Sequence, residues 1–407
     1  MKKQKEYLVI LGANIELLDF YREAKKMGLS ILGLDQNPKS PAFKYADKKI
    51  ISSTRNAEEA LNKILKFSKK NKIIGVTTCA HDVPFTIATI AKKMRLKSIS
   101  IKNALIASNK KKMKIFFVKN KIASSKYFLC KNIIEFKKEK KFKVPLIVKP
   151  IDGRGSRGVT YHEDLSNVEW AINHAKNNSD FSEVLIEEFM RGRQMSVEGF
   201  VYKKKYFQSG MADRNYSNIK KTKPFIVENG GHLPSTVSKK TEKKIILFCS
   251  KIVRCLNMNS GSIKFDLVVS NEKVKCIEFA LRLSGGYFSS LQIPKVYNIN
   301  LMKMTILNSI NKKISEKNLV PHKNGHVVVR YIFPDKRGKY VGLINTRLLN
   351  NNKNILYFKK MIKKNSQVNL SRHNAERLAT FAYFDKSLKV AIKKANYIES
   401  KIKPIIK

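Results

Sequence analysis

Residues 144–159 read VPLIVKPIDGRGSRGV, and the reading of this stretch decides how the rest of the chain is understood. An apolar run ends on Lys149 and Pro150 and passes within three residues into Gly153-Arg154-Gly155-Ser156-Arg157-Gly158. A short apolar run that opens into glycines predicts a buried strand followed by a loop. Glycines let the backbone approach an anion closely and turn its N–H groups toward it, and Ser156 adds a hydroxyl donor. Lys149 brings a point charge to phosphate oxygens, and Arg154 and Arg157 bring two-pronged donors. The loop differs from a P-loop, because its lysine precedes the glycines and no Gly-Lys-Ser/Thr occurs. Taken alone, the segment also fits a hairpin with ordinary turn glycines.

Two segments further on carry matching chemistry. Residues 183–201, EVLIEEFMRGRQMSVEGFV, run as an apolar strand into Glu187 and Glu188, turn at Gly192, and continue as a second alternating strand. A carboxylate beside exposed backbone at a strand end can accept from an adenine amino group, while a backbone N–H serves the neighbouring ring nitrogen; solvated glutamates are the alternative. Residues 262–286, SIKFDLVVSNEKVKCIEFALRLSGG, predict two adjacent strands with Asp266 inside the first and Glu278 inside the second. Ionised side chains are rare in such apolar stretches unless paired or metal-bound. Two carboxylates converging from neighbouring strands make a hard oxygen site suited to Mg2+. Arg282 follows Glu278 by four residues and could neutralise charge growing on a transferring phosphoryl group. A Glu278–Arg282 salt bridge is the structural alternative.

Upstream, strands alternate with amphipathic helices over residues 1–107, which predicts a doubly wound parallel sheet. Gly12 stands where the first strand turns and Asp35 ends the second, yet LGAN carries one glycine where the dinucleotide fingerprint needs three, so close backbone approach to a dinucleotide has no support. The opening MKKQKEYLVILGANIELLDF reads as a first strand, because Asn14 and Glu16 interrupt any signal-peptide core. Five cysteines form no CxxC pair and point to free thiols in a reducing cytoplasm. No apolar stretch approaches the length of a membrane span.

The net charge of +51 on 407 residues, from 82 Lys plus Arg against 31 Asp plus Glu, at first suggests a nucleic-acid partner. Of the basic residues 67 are Lys and 15 are Arg. A nucleic-acid surface would cluster its charge and favour Arg, so this spread of lysine reads as compositional drift over the whole surface.

With these three ordered motifs in place, the chain resembles the ATP-grasp superfamily of ATP-dependent carboxylate–amine ligases. It is similar to the biotin-carboxylase and carbamoyl-phosphate-synthase-like members and to the amino-acid-ligase-like members. The resemblance implies an α/β ATP-grasp fold: an N-terminal Rossmann-like domain over 1–107, the grasp over 108–311 with a lid over about 145–200, and a C-terminal α+β subdomain over 312–407. It implies Lys110 and Lys149 as phosphate-contacting lysines, with the register of Lys110 open because Lys111 and Lys112 follow it. Gly153, Arg154, Gly155, Ser156 and Gly158 match the mobile phosphate loop, and Glu187, Glu188 and Met190 match the adenine hinge. Asp266 and Glu278 match the Mg2+ ligands, with Mn2+ as a substitute, and Arg282 matches the arginine beside the acyl phosphate. One departure stands out, since Ala280 occupies the Asn position of the usual Glu-x-Asn-x-Arg.

The activity implied is formation of an acyl phosphate from a small-molecule carboxylate and ATP, followed by attack of an amine and release of ADP and phosphate. A bicarbonate-using carboxylase or carbamoyl-phosphate-synthase-like enzyme is the alternative chemistry, and a non-enzymatic nucleic-acid binder the alternative class. In the loop 211–235, MADRNYSNIKKTKPFIVENGGHLPS, Arg214, His232 and Ser235 are candidate substrate residues, as is Tyr287 after the Arg282 motif. The expected partners are small-molecule substrates, with neither membrane nor nucleic acid, and a homodimer is the expected assembly.

Overall fold

A computed structural model describes residues 4–139, 143–350 and 352–407. Strands β1 (Glu6–Leu11), β2 (Ser30–Asp35), β3 (Lys48–Ile51) and β4 (Lys72–Thr77) form a parallel sheet in the order β3-β2-β1-β4. β1 is apolar on both faces because both are covered. Leu8 and Ile10 pack with Phe20, Tyr21 and Ala24 of helix α1 (Leu18–Lys26). Tyr7, Val9 and Leu11 pack with residues of α2 (Ala57–Ser68) and α3 (Pro84–Lys93). The doubly wound arrangement read from the alternation is therefore present. Helices α4 (Ile101–Ser108) and α5 (Lys110–Lys119) follow, each opened by a side-chain cap, from Ser100 and Asn109.

A small antiparallel sheet comes next, built from β5 (Tyr127–Cys130), β6 (Leu146–Pro150), β7 (Thr160–His162) and β8 (Val184–Glu188) in the order β5-β8-β6-β7. Residues 140–142, within the expected charged helix and linker, lie outside the described residues. The lid expected over about 145–200 differs from this sheet, which starts at Tyr127, while β9 (Arg193–Tyr202) leaves it for the large sheet. Gly192 makes that exit possible: its φ is +142°, and a Cβ there would meet the Val269 carbonyl at 2.6 Å.

The large sheet contains β9, β10 (Lys205–Arg214), β11 (Gly230–Leu233), β12 (Gly261–Ser270), β13 (Lys273–Ala280) and β14 (His326–Ile332). After β15 (Gly338–Leu343), it is completed by β16 (Ile355–Lys360) and, beyond β17 (Gln367–Val368), by β18 (Ala379–Asp385). The spatial order is β13-β12-β9-β10-β11-β14-β18-β16, and β15 and β17 form a separate small sheet with β19 (Pro404–Ile406). The expected boundary at 311/312 thus falls between strands of one sheet.

β12 and β13 are joined through Asn271 and Glu272, both with positive φ, as a tight hairpin requires. The turn fixes Ser270 opposite Lys273, and a bulge after Asp266 brings Asp266 opposite Glu278. Beneath them Phe265 and Phe279 pack with Met113 and Phe117 of α5. Among the described residues no helix is long and apolar enough to cross a membrane.

Candidate active site

Lys149, the end of the opening motif, is buried on β6 next to β8, with Ile147 in register with Glu187. The Lys149 ammonium bonds the Glu187 carboxylate, and so does the Lys114 ammonium from α5. Ser125 Oγ donates a 2.9 Å hydrogen bond to the same carboxylate. Burial alone would raise the Glu187 pKa; Lys149 and Lys114 overcome it and hold the group down to about 2. Expected at the adenine hinge, the Glu187 side chain is therefore committed to two lysines, because both reach it within the dry interior of the sheet. Lys114 was missed, since on sequence it is one of five lysines between 110 and 119.

Lys110 donates to the Gly153 carbonyl at 2.5 Å and lies 3.5 Å from Glu278 Oε2. Lys111 pairs with Glu183 and Lys112 is exposed, so of these three lysines Lys110 is the one that reaches the loop and Glu278. In the loop itself Gly155 and Gly158 have positive φ, and so does Ser156 at +64°. A Cβ on Gly153 would lie 2.4 Å from Pro150 Cγ. The backbone is compact and strained where it would meet phosphate.

Asp266 and Glu278 face each other across β12 and β13. Lys264 Nζ lies 3.0 Å from Asp266 Oδ2 and Arg214 Nη1 lies 3.3 Å from Oδ1, which has no hydrogen bond. Burial raises the Asp266 pKa, but Lys264 and Arg214 outweigh it and keep the group ionised. Two facing carboxylates, one of them carrying an orphan oxygen, fit a hard divalent cation such as Mg2+. Lys264 is in register with Ala280, so an ammonium is the polar group across from the position where the resemblance implies an amide.

Arg282 does not pair with Glu278. Its Nη2 donates to Asp82 Oδ2 at 2.7 Å and its Nη1 to the Leu283 carbonyl, while its Nε is buried without a partner. The loop after it is held by Glu198, which is fully buried and accepts from Ser284 N and from Ser289 Oγ. Burial raises the Glu198 pKa.

A cavity of about 240 Å3 gathers Lys110, Lys149, Gly153, Arg154, Gly155, Ser156, Glu187, Glu188, Met190, Asp266, Glu278 and Arg282, along with apolar Met113, Ile147 and Phe189. Gly158 lies behind it, against Asn178 and Pro150. A second cavity of about 580 Å3 adjoins the first, and Asp82, Arg154, Arg214, Lys264 and Arg282 line both. The substrate candidates separate here. Arg214 lines both cavities but is bound to Glu228 and Asp266. His232 lines the second and holds Asp213 at 3.1 Å. Ser235 Oγ also binds Asp213, at 2.5 Å, and lines neither cavity. Tyr287, 3% exposed, packs on Tyr357 in the core and lines neither. Asp213 also accepts from Arg193 and Thr236, and the Tyr287 ring fills core space.

A family model described as an ATP-grasp domain matches residues 107–286. A D-alanine–D-alanine ligase from Pelagibacter ubique is 38% identical over 97 residues, which is 23% of this chain and 31% of that protein. A formate-dependent phosphoribosylglycinamide formyltransferase from Saccharolobus solfataricus is 22% identical over 330 residues, 79% of this chain and 80% of that protein. Among solved structures, an L-amino acid ligase from Bacillus licheniformis superposes with a TM-score of 0.85 at 16% identity, covering all of both chains. Residues 107–286 thus resemble an ATP-grasp domain, and the whole chain shares its fold with the L-amino acid ligase. The chain spans about a third of the D-alanine–D-alanine ligase it matches.

Proposed function

We propose that this chain is an ATP-dependent ligase that activates a small-molecule carboxylate as an acyl phosphate and transfers the acyl group to an amine, releasing ADP and phosphate. The observation that carries this reading is the junction of the two cavities, where Lys264, Arg154 and Arg282 border both. A carboxylate entering from the larger cavity meets the phosphate end of a nucleotide in the smaller one. Its oxygen attacks the γ-phosphorus in line as the bond to the ADP oxygen breaks. The amine then attacks the acyl carbon, loses a proton, and phosphate leaves. Mg2+, or Mn2+ in its place, would be held by Asp266 and Glu278 with phosphate oxygens and would supply neutralisation of the phosphoryl charge.

Lys110, Lys149 and the loop N–H groups bind and orient the phosphates, and Glu188 with Met190 border the base. Arg282, which borders both cavities, would neutralise charge on the acyl phosphate. A glycine-bearing loop over this junction keeps water from the intermediate. The names of the D-alanine–D-alanine and L-amino acid ligases support an amine as acceptor. Five free cysteines support a reducing cytoplasm as the location, and a homodimer belongs to the same proposal.

The test is direct. Purified protein with ATP, Mg2+ and paired panels of acids and amines should release ADP and phosphate only when acid and amine are both correct. AMP as product would overturn the acyl-phosphate route, and turnover driven by bicarbonate alone would favour the carboxylase.

A further inference from the structure

The second cavity is lined by Arg55, Arg154, Arg157, Arg214, Arg282 and Arg377, but by a single lysine, Lys264. The chain as a whole has 67 Lys and 15 Arg. Six of 15 arginines thus border one cavity together with one of 67 lysines, so the lysine drift that dominates the surface stops at its wall. Arginine differs from lysine in presenting a planar fork that matches a carboxylate or phosphate with two parallel hydrogen bonds.

Pairing accounts for half of the set. Arg214 is bound to Glu228 and Asp266, Arg282 to Asp82, and Arg377 lies 3.6 Å from Glu16. Among the described residues, no carboxylate lies within ion-pair distance of Arg55, Arg154 or Arg157. Arg55 comes from the loop between β3 and α2, while Arg154 and Arg157 come from the glycine loop. Burial lowers the Arg154 pKa, and the repulsion of Arg55 and Arg282 adds to it against the opposing attraction of Asp82 and Asp152. Arg154 borders the nucleotide cavity too, whereas Arg55 and Arg157 border the second cavity alone.

We propose that the substrate in the second cavity carries an anionic group beyond the carboxylate that is activated, and that Arg55 and Arg157 read it. This rests on the ligase reading above and specifies its substrate class: a dicarboxylic or phosphorylated acid. Activation consumes one carboxylate at the Arg282 end, and the second anion stays at the Arg55 end as an anchor that orients the acid for attack.

The experiment titrates the full chain, saturated with MgADP so that the nucleotide cavity is filled, with propionate, succinate and O-phosphoserine by calorimetry. At least one of the two dianionic probes should bind ten-fold or more tightly than propionate; succinate ahead identifies a carboxylate, O-phosphoserine ahead a phosphate. Arg55 is exposed and borders the second cavity only, so R55Q should erase this discrimination and leave the MgADP Kd within two-fold. R55K, which keeps the charge without the fork, should retain part of it. Equal affinities for all three probes, or a R55Q protein that discriminates as wild type does, would overturn the proposal. Phosphate release with monocarboxylic acids alone would overturn it while sparing the ligase reading; ATP cleavage to AMP would sink that reading instead.

Discussion

Arg282 and Asp82 are 200 positions apart in the chain and joined by a 2.7 Å hydrogen bond, which ties the end of the β12–β13 hairpin to the loop that leaves the parallel sheet. Burial would raise the Asp82 pKa, but Arg282 and then Arg154 hold it well below the ordinary carboxylate range. The guanidinium is thereby fixed at the junction of the two cavities with one face committed and Nε uncommitted.

Asp82 is on this geometry a positioning residue for Arg282. Removing the arginine as R282A should lower kcat by about 10²–10³-fold, the loss typical of one preorganised charge-stabilising donor. D82N should lower kcat by about ten-fold while the KM for ATP stays near wild type, because no Asp82 atom is needed to hold the nucleotide. Steady-state kinetics with both substrates varied checks it; a D82N protein with a raised KM for ATP and normal kcat would contradict the assignment.

Glu187 compensates two buried lysines at once, so its removal is costly. E187Q leaves Lys114 and Lys149 without their anion and should destabilise the protein by about 3–5 kcal/mol, the usual cost of breaking a buried pair from one side. The pH dependence has a definite sign. The folded pKa is about 2 against an ordinary 4.5, so the stabilisation is present above pH 4.5 and drains away as pH falls from 4.5 toward 2. Urea titrations at pH 7 and pH 3 should show the gap between wild type and E187Q closing in acid.

How much of this was legible in the sequence follows from the range of each interaction. The β12–β13 hairpin was readable because its information is local: two adjacent apolar stretches with one carboxylate inside each. The glycine loop was readable for the same reason. Lys114 was not, since choosing one lysine of a run requires knowing which face of α5 meets β8. Asp82 and Arg55 were equally hidden, because only the packing of the parallel sheet against the grasp brings them to the cavities. His232 and Ser235 both reach the buried Asp213, a contact invisible from the sequence, and of the two His232 also lines the second cavity.

Asp266 and Glu278 can be tested by the metal they would hold. D266N and E278Q each remove one charge from the pair and should raise the Mg2+ concentration needed for half-maximal nucleotide binding by ten-fold or more. Chelation by EDTA should abolish phosphate release in wild type, and Mn2+ should restore it. Calorimetric titration of MgADP against metal-free ADP provides the check, with equal affinities for the two counting against a metal at this hairpin.

The glycine loop separates conformation from space. Gly155 has a φ of +61° with nothing within 4 Å of an added Cβ, so G155A imposes only the left-handed backbone cost of about 1–2 kcal/mol. Gly158 has a φ of +71°, and its Cβ would also fall 2.7 Å from Asn178 Cβ and 3.1 Å from Pro150 Cδ. Neither neighbour can swing aside, because one is a Cβ fixed to the backbone and the other part of a closed ring. G158A should therefore weaken ATP binding by well over ten-fold by displacing the loop, against a several-fold loss at most for G155A. Binding of ATP measured on both proteins decides it: equal losses would mean that the left-handed conformation alone limits the loop, and a larger loss at Gly155 would mean that the exposed tip, not the packed base, contacts the phosphates.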